Sequence, residues 1–136
     1  MITPEQLAAS GSEDSAQTAL FCWSALPEVR SRYPELKWLA AIPNGGFRNK
    51  REASRLKAGG VKRGVPDLVL PLRNLMYAGL WLELKRIARP GKVQGKTSSE
   101  QDEWLRWLNS QGYAAMVAYG WEEARNDILW YLEVKR

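Results

Sequence analysis

Asp67, Glu83 and Lys85 are the residues whose types and spacing could do chemistry. Asp67 follows Pro66 at the head of a short apolar run, Leu68-Val69-Leu70. Glu83 and Lys85 lie in the stretch Gly79 to Arg86, where Leu80, Leu82 and Leu84 alternate with Trp81, Glu83 and Lys85. At the two-residue period of a strand, the leucines share one face and Glu83 and Lys85 the other. Two carboxylates can hold a divalent cation that activates water and neutralises charge on a phosphate. A lysine beside them can orient that water, help deprotonate it, or stabilise the developing charge. The plainer alternative is a Glu83–Lys85 salt bridge on a solvent-facing strand. Against it, Trp81 shares their face, and Asp67 sits in an apolar strand where an unpaired charge is costly.

Composition narrows the chemistry. The chain contains no histidine, which excludes Ser-His-Asp and Cys-His catalysis and any histidine zinc site. A metal would be held by carboxylate and carbonyl oxygens, hard ligands that suit Mg²⁺ or Mn²⁺. The single cysteine, Cys22, permits no internal disulfide and reads as a small core residue. With 136 residues, 45% of them hydrophobic, the chain fits one compact domain, 1–136, with a real core. No apolar run approaches the roughly 20 residues of a membrane span. Residues 1–10 lack the basic-then-apolar pattern of a secretory signal, so the expectation is a cytoplasmic protein with no membrane role.

The elements that must position these residues follow from periodicity and punctuation. Residues 1–11 read as a loose lead-in. A helix should begin near Ser12, with Glu13 and Asp14 in its first turn and Ala16, Ala19, Leu20, Trp23 and Leu26 as its apolar stripe. Glu13 falls at the N-terminal end of that stripe, either as a further site carboxylate or as an acid favoured by the helix dipole. Pro27 and Pro34 punctuate the connection, Leu36 to Ile42 reads as a strand, and Asn44-Gly45-Gly46 as a turn. That turn either lets backbone N–H groups approach a phosphate or is a plain turn. A short basic helix spans Asn49 to Ala58, closed by Gly59-Gly60. After the two strands that carry Asp67 and Glu83, residues 87–97 form a polar basic loop. Ser98 and Gln101 form a capping box for a helix that carries Trp104, Leu105 and Leu108 and ends at Gly112. A strand from Tyr113 to Tyr119 and a helix marked by Trp121, Ala124, Ile128 and Leu132 complete the chain. This order predicts an α/β fold, a central mixed sheet flanked by helices. Trp23, Trp104 and Trp121 fall on apolar stripes and read as core, whereas Trp38, Trp107 and Trp130 are free to serve an interface.

The net charge of +5 is concentrated. Arg48, Lys50, Arg51, Arg55, Lys57, Lys62 and Arg63 lead into Asp67 with Glu52 as the only intervening acid. Lys85, Arg86, Arg89, Lys92 and Lys96 follow Glu83 with no acid before Glu100. Two basic arms flanking a carboxylate site predict contact with the phosphates of a nucleic acid, rather than two merely solvated faces.

Pro66-Asp67 followed by Glu83-Leu84-Lys85 resembles the PD-(D/E)xK nuclease signature. The surrounding residues sharpen the likeness. Asn44-Gly45-Gly46, Lys57-Ala58-Gly59, Gly64-Val65-Pro66-Asp67-Leu68, Gly79 through Lys85, Ser99-Glu100-Gln101-Asp102-Glu103-Trp104, Tyr113 and the Trp121 helix look like the VRR-NUC family (virus-type replication-repair nucleases). The likeness covers residues 12–132 and is to the stand-alone bacterial and phage members. It implies a restriction-endonuclease-like αβββαβ core and an Mg²⁺- or Mn²⁺-dependent DNA endonuclease. Asp67 and Glu83 would be the metal-binding carboxylates, with the backbone carbonyl of Leu84 as a further ligand and Glu13 completing the set. Lys85 would be the catalytic lysine. Gln101 would position lysine or substrate, unless it serves only its capping box. Implied beyond the site are a homodimer, branched DNA such as four-way (Holliday) junctions as substrate, and a place in DNA repair in a bacterial or phage-infected cell. Two other functions stay open on the residues themselves: a basic DNA-binding module without catalysis, and an RNA-directed nuclease on the same fold.

Overall fold

A computed structural model describes residues 1–43 and 49–134. Six helices and four strands follow in order: α1 (Pro4–Leu7), α2 (Glu13–Ser24), α3 (Pro27–Arg32), β1 (Ala40–Ala41), α4 (Lys50–Ala58), β2 (Leu68–Leu70), β3 (Leu80–Lys85), α5 (Ser99–Ser110), β4 (Ala114–Tyr119) and α6 (Trp121–Glu133). A short 3-10 helix, Pro34–Trp38, precedes β1. Local chemistry explains the helix starts. Ser12 accepts from the Ser15 N–H at 3.0 Å, Asn49 from the Glu52 N–H at 2.8 Å, and Ser98 from the Gln101 N–H at 3.2 Å.

Three expectations are corrected. Residues 1–11 are not a loose lead-in: Pro4 and a Thr3–Gln6 capping box start α1, which packs on α2. Pro27 does more than punctuate, since it occupies the first turn of α3. Leu36 to Ile42 is not one strand. Pro34 begins the 3-10 turn that buries Leu36, which leaves Ala40–Ala41 as the strand, extended by the Ile42 N–H donating to the Asp67 carbonyl at 2.7 Å. The predicted turn Asn44-Gly45-Gly46 and Arg48 lie outside the described residues.

The strands lie in the order β1-β2-β3-β4. The first two pairs are antiparallel and β3–β4 is parallel, so α5 is the crossover between β3 and β4. This is the mixed sheet with flanking helices that the sequence predicts. Leu68, Leu70, Leu80, Leu82 and Leu84 are buried with Leu20 and Trp23 of α2 and with Ala124, Ile128 and Tyr131 of α6. Tyr131 donates to the Leu72 carbonyl at 2.6 Å, tying α6 to the segment that leaves β2. Among the described residues no helix is long and apolar enough to cross a membrane.

One glycine sets how closely the Asp67 strand approaches α5. Gly64 has φ +89°, and a Cβ there would lie 2.6 Å from the backbone carbon of Glu100. Any side chain must push the loop before Asp67 away from the start of α5. Gly60, at φ +99°, meets nothing within 4 Å and serves as the control. Gly64→Ala should therefore lower stability in urea by more than Gly60→Ala, whose backbone strain alone amounts to about 1–3 kcal/mol. Equal losses would mean that the Gly64–Glu100 approach exerts no constraint.

Candidate active site

The register Leu68↔Leu82 brings the start of β2 beside the end of β3, and with it Asp67 beside Glu83. Asp67 accepts from the Leu84 N–H at 2.8 Å. Continued one step further, the register sets Pro66 opposite Leu84. A residue's N–H and C=O point to the same side of a strand, and proline has no N–H. The ladder therefore gives the Leu84 carbonyl no donor, which keeps it available as a ligand.

Glu83 is 3% exposed and Lys85 9% exposed, so the Glu83–Lys85 pair is not a solvent-facing salt bridge. Their contact is loose, Lys85 Nζ to Glu83 Oε1 at 3.7 Å. The closer partner is Gln101, whose Nε2 donates to Glu83 Oε1 at 2.6 Å. The other end of the same amide, Oε1, accepts from the Ser98 N–H at 2.8 Å. Gln101 therefore caps α5, one of its two sequence alternatives, and its side chain meets Glu83 rather than the lysine it was expected to position. Trp81, on the same face, is half-buried and meets Tyr113 edge-on at 6.3 Å.

Burial pushes both carboxyls up. Glu83 reaches about 8, with the negative charge of Asp67 as the next cause. Asp67 is raised by burial and held back by the Leu84 N–H and by Lys85. When Glu83 is protonated it can donate to Asp67; when it is ionised, its buried Oε2 has no hydrogen-bond partner. Such an orphaned oxygen beside a second carboxylate is a place for a cation, so the donor set fits a hard divalent metal. Asp67, Glu83 and the Leu84 carbonyl are the groups that would hold it.

The first turn of α2 comes to the same place. Glu13 is exposed, and its charge adds to the upward push on Glu83. Asp14, which sequence treats only as a first-turn acid, does the same to Asp67. Among the described residues no three acidic, His or Cys side chains are gathered tightly enough to hold a metal, so Glu13 stands near the pair rather than in it. The basic residues divide. Lys50, Arg51, Arg55 and Lys57 are exposed on α4, and Lys62, Arg63, Lys92 and Lys96 are exposed on loops. Arg86 donates to the Val93 carbonyl at 2.9 Å and Arg89 to the Ser10 carbonyl, so both also brace the loop after β3.

No family model and no curated protein matches the sequence. Among solved structures, one described as a VRR_NUC domain protein matches with a TM-score of 0.74 and 28% identity, over 90% of this chain and 89% of that one. This likeness in fold and sequence, over nearly the whole of both chains, supports membership of the VRR-NUC family. Its sheet and helices are those of a restriction-endonuclease-like fold, and the domain is of nuclease type. The conjunction of Asp67, Glu83, Lys85 and Gln101 thus stands at one end of the sheet of a VRR-NUC domain.

The carboxyl pair makes the stability of this VRR-NUC domain depend on pH. A carboxyl raised in the folded state binds protons that the unfolded chain has already released, so the folded state is favoured at low pH. For Glu83 that advantage is lost as pH rises from the ordinary 4.5 to about 8. Urea denaturation of metal-free protein should show this decline, a flatter profile for Glu83→Gln, and recovery at high pH on adding Mg²⁺ or Mn²⁺. A parental profile no steeper than that of Glu83→Gln would refute the assignment.

Proposed function

We propose that this VRR-NUC domain is a divalent-metal-dependent DNA endonuclease, with branched DNA such as four-way junctions as its preferred substrate. The observation that carries the catalytic part is the buried Asp67–Glu83 pair, with an unpartnered Glu83 oxygen and Lys85 alongside. Bound there, Mg²⁺ or Mn²⁺ would activate water and neutralise charge on the phosphate. The residues of the chain do the rest. Gln101 fixes the Glu83 carboxylate, and the Leu84 N–H fixes that of Asp67. Lys85 Nζ lies near enough to orient a water, take or return its proton, or stabilise the charge on the leaving oxygen. Asp67→Asn and Glu83→Gln should each abolish metal-dependent cleavage, and Lys85→Ala should reduce it about 10²–10⁴-fold, the usual worth of a positioned proton-transfer group. The assay uses single-strand, duplex, flap and four-way-junction DNA, with circular dichroism to check folding. A folded variant that cuts at the parental rate overturns the role given to that residue. Equal cutting of linear duplex and junction removes the branch preference.

The functional form is a homodimer. One metal site makes one nick, and symmetric resolution of a junction needs two centres related by a two-fold axis. Trp107 and Trp130 are 61% and 45% exposed, aromatic surface of a kind enriched at interfaces. Light scattering at micromolar concentration, with and without junction DNA, should report two chains. A monomer in both conditions overturns the dimer.

A further inference from the structure

A cavity of about 670 Å³ opens between α4 and the first turns of α5. Lys57, Lys62 and Arg63 line one side, and Glu100, Glu103 and Trp104 the other. Its size is within the range that takes a small organic ligand. Trp104, placed in the core by its helical stripe, is instead half-buried and outside the core cluster. Among the described residues no aromatic ring or cation stacks on it.

The charges on the two walls are also uncommitted to each other. Among the described residues the one ion pair is Lys85–Glu83, so none of the five charged wall residues is in a salt bridge. A groove built for phosphates alone would not carry Glu100 and Glu103, which repel them. Carboxylates accept N–H groups instead, and the exocyclic amine of cytosine is one such donor. An aromatic face stacks any base, and lysine and arginine take the flanking phosphate. Thymine, with one imino N–H between two carbonyl oxygens, suits these walls less well.

We infer that this cavity takes one unpaired base of the DNA strand, cytosine or guanine in preference to thymine, stacked on Trp104. The inference rests on the nuclease reading and adds how that site selects its substrate. Glu100 is the sequence neighbour of Gln101, which touches Glu83, so a base seated here belongs to a nucleotide close to the phosphate being cut. Branched DNA supplies unpaired or easily unstacked bases, whereas an intact duplex must pay to expose one.

Fluorescence anisotropy on metal-free protein, where no cleavage occurs, tests this with oligo-dC, oligo-dT and a blunt hairpin duplex. The parental protein should bind oligo-dC more tightly than oligo-dT. Trp104→Leu, which keeps apolar volume but loses the ring, should weaken oligo-dC about ten-fold and leave the duplex unchanged. Trp104→Phe should retain most of the affinity. Glu100→Gln with Glu103→Gln should narrow the gap between oligo-dC and oligo-dT. A strand carrying 2-aminopurine should change its emission on binding the parental protein, a readout that needs no variant to fold. Unchanged emission, or a Trp104→Leu loss that is absent or equal for strand and duplex, overturns the pocket while parental DNA binding and cleavage leave the nuclease standing. Failure of the parental protein to bind any of the three DNAs overturns the pocket, and failure also to cut any DNA with Mg²⁺ or Mn²⁺ overturns both.

Discussion

Asp67 and Glu83 meet at the end of an apolar sheet, where like charges repel through a medium that screens poorly. Two such charges about 4 Å apart near a protein surface cost about 4 kcal/mol. The leucines of β2 and β3 and Leu20 are almost fully buried, and each contributes about 1.5–3 kcal/mol. The sheet can therefore hold a pair that is unfavourable by itself. A shared proton relieves that repulsion, and a shared cation, on the proposed reading, would relieve it too. One arrangement would then govern stability, pH response and metal affinity together.

The connections around the pair follow from the need to hold it. Because β3 and β4 are parallel, the chain must cross over, and the crossover helix α5 begins where β3 ends. Its first turn thus falls next to Glu83. Gln101 then uses both ends of one amide, so the hydrogen bond that starts the helix also fixes the carboxylate. Gly64 closes the gap from the other side, since only a residue without Cβ lets the loop before Asp67 touch the Glu100 backbone. Pro66 withholds a donor from Leu84, and the Leu84 N–H turns to the Asp67 side chain. Helix cap, glycine and proline are ordinary local devices, and here each also positions the site.

Local signals of this kind are what made much of the domain legible in its sequence. The alternation of Leu80, Leu82 and Leu84 with Glu83 and Lys85 marked β3 and its two faces. Ser12 and Ser98 marked two helix starts, and the basic helix read from Asn49 begins one residue later, with Asn49 as its cap. What escaped depends on distant packing. The apolar character of Leu36 to Ile42 is served by a 3-10 turn because Pro34 decides the backbone there. α1 is too short for periodicity to show, and Pro4 and the capping box are the local marks it leaves. Trp104 lies on a stripe whose period predicts burial, yet the neighbouring segment leaves a cavity there rather than a wall. Asp14 could be placed near Asp67 only once the first turn of α2 was known to come near the start of β2.

A carboxylate pair repels the phosphate that it must act on, so a nuclease of this design needs attraction from its surroundings. On the proposed reading the exposed cations of α4 and of the loops on either side of the strands would supply it, through a field that at physiological salt reaches about 8 Å. Placing them beside the acids rather than among them matters. A lysine or arginine packed directly on Asp67 or Glu83 would neutralise the pair and compete with the cation. Lys85, at 3.7 Å from one Glu83 oxygen and with the other oxygen left unpartnered, stops short of that. In the proposed nuclease, the metal-free site would attract the strand at its margins and resist it at its centre. Bound metal would remove the central resistance, so metal and DNA would each favour the binding of the other, a coupling that follows from charge alone.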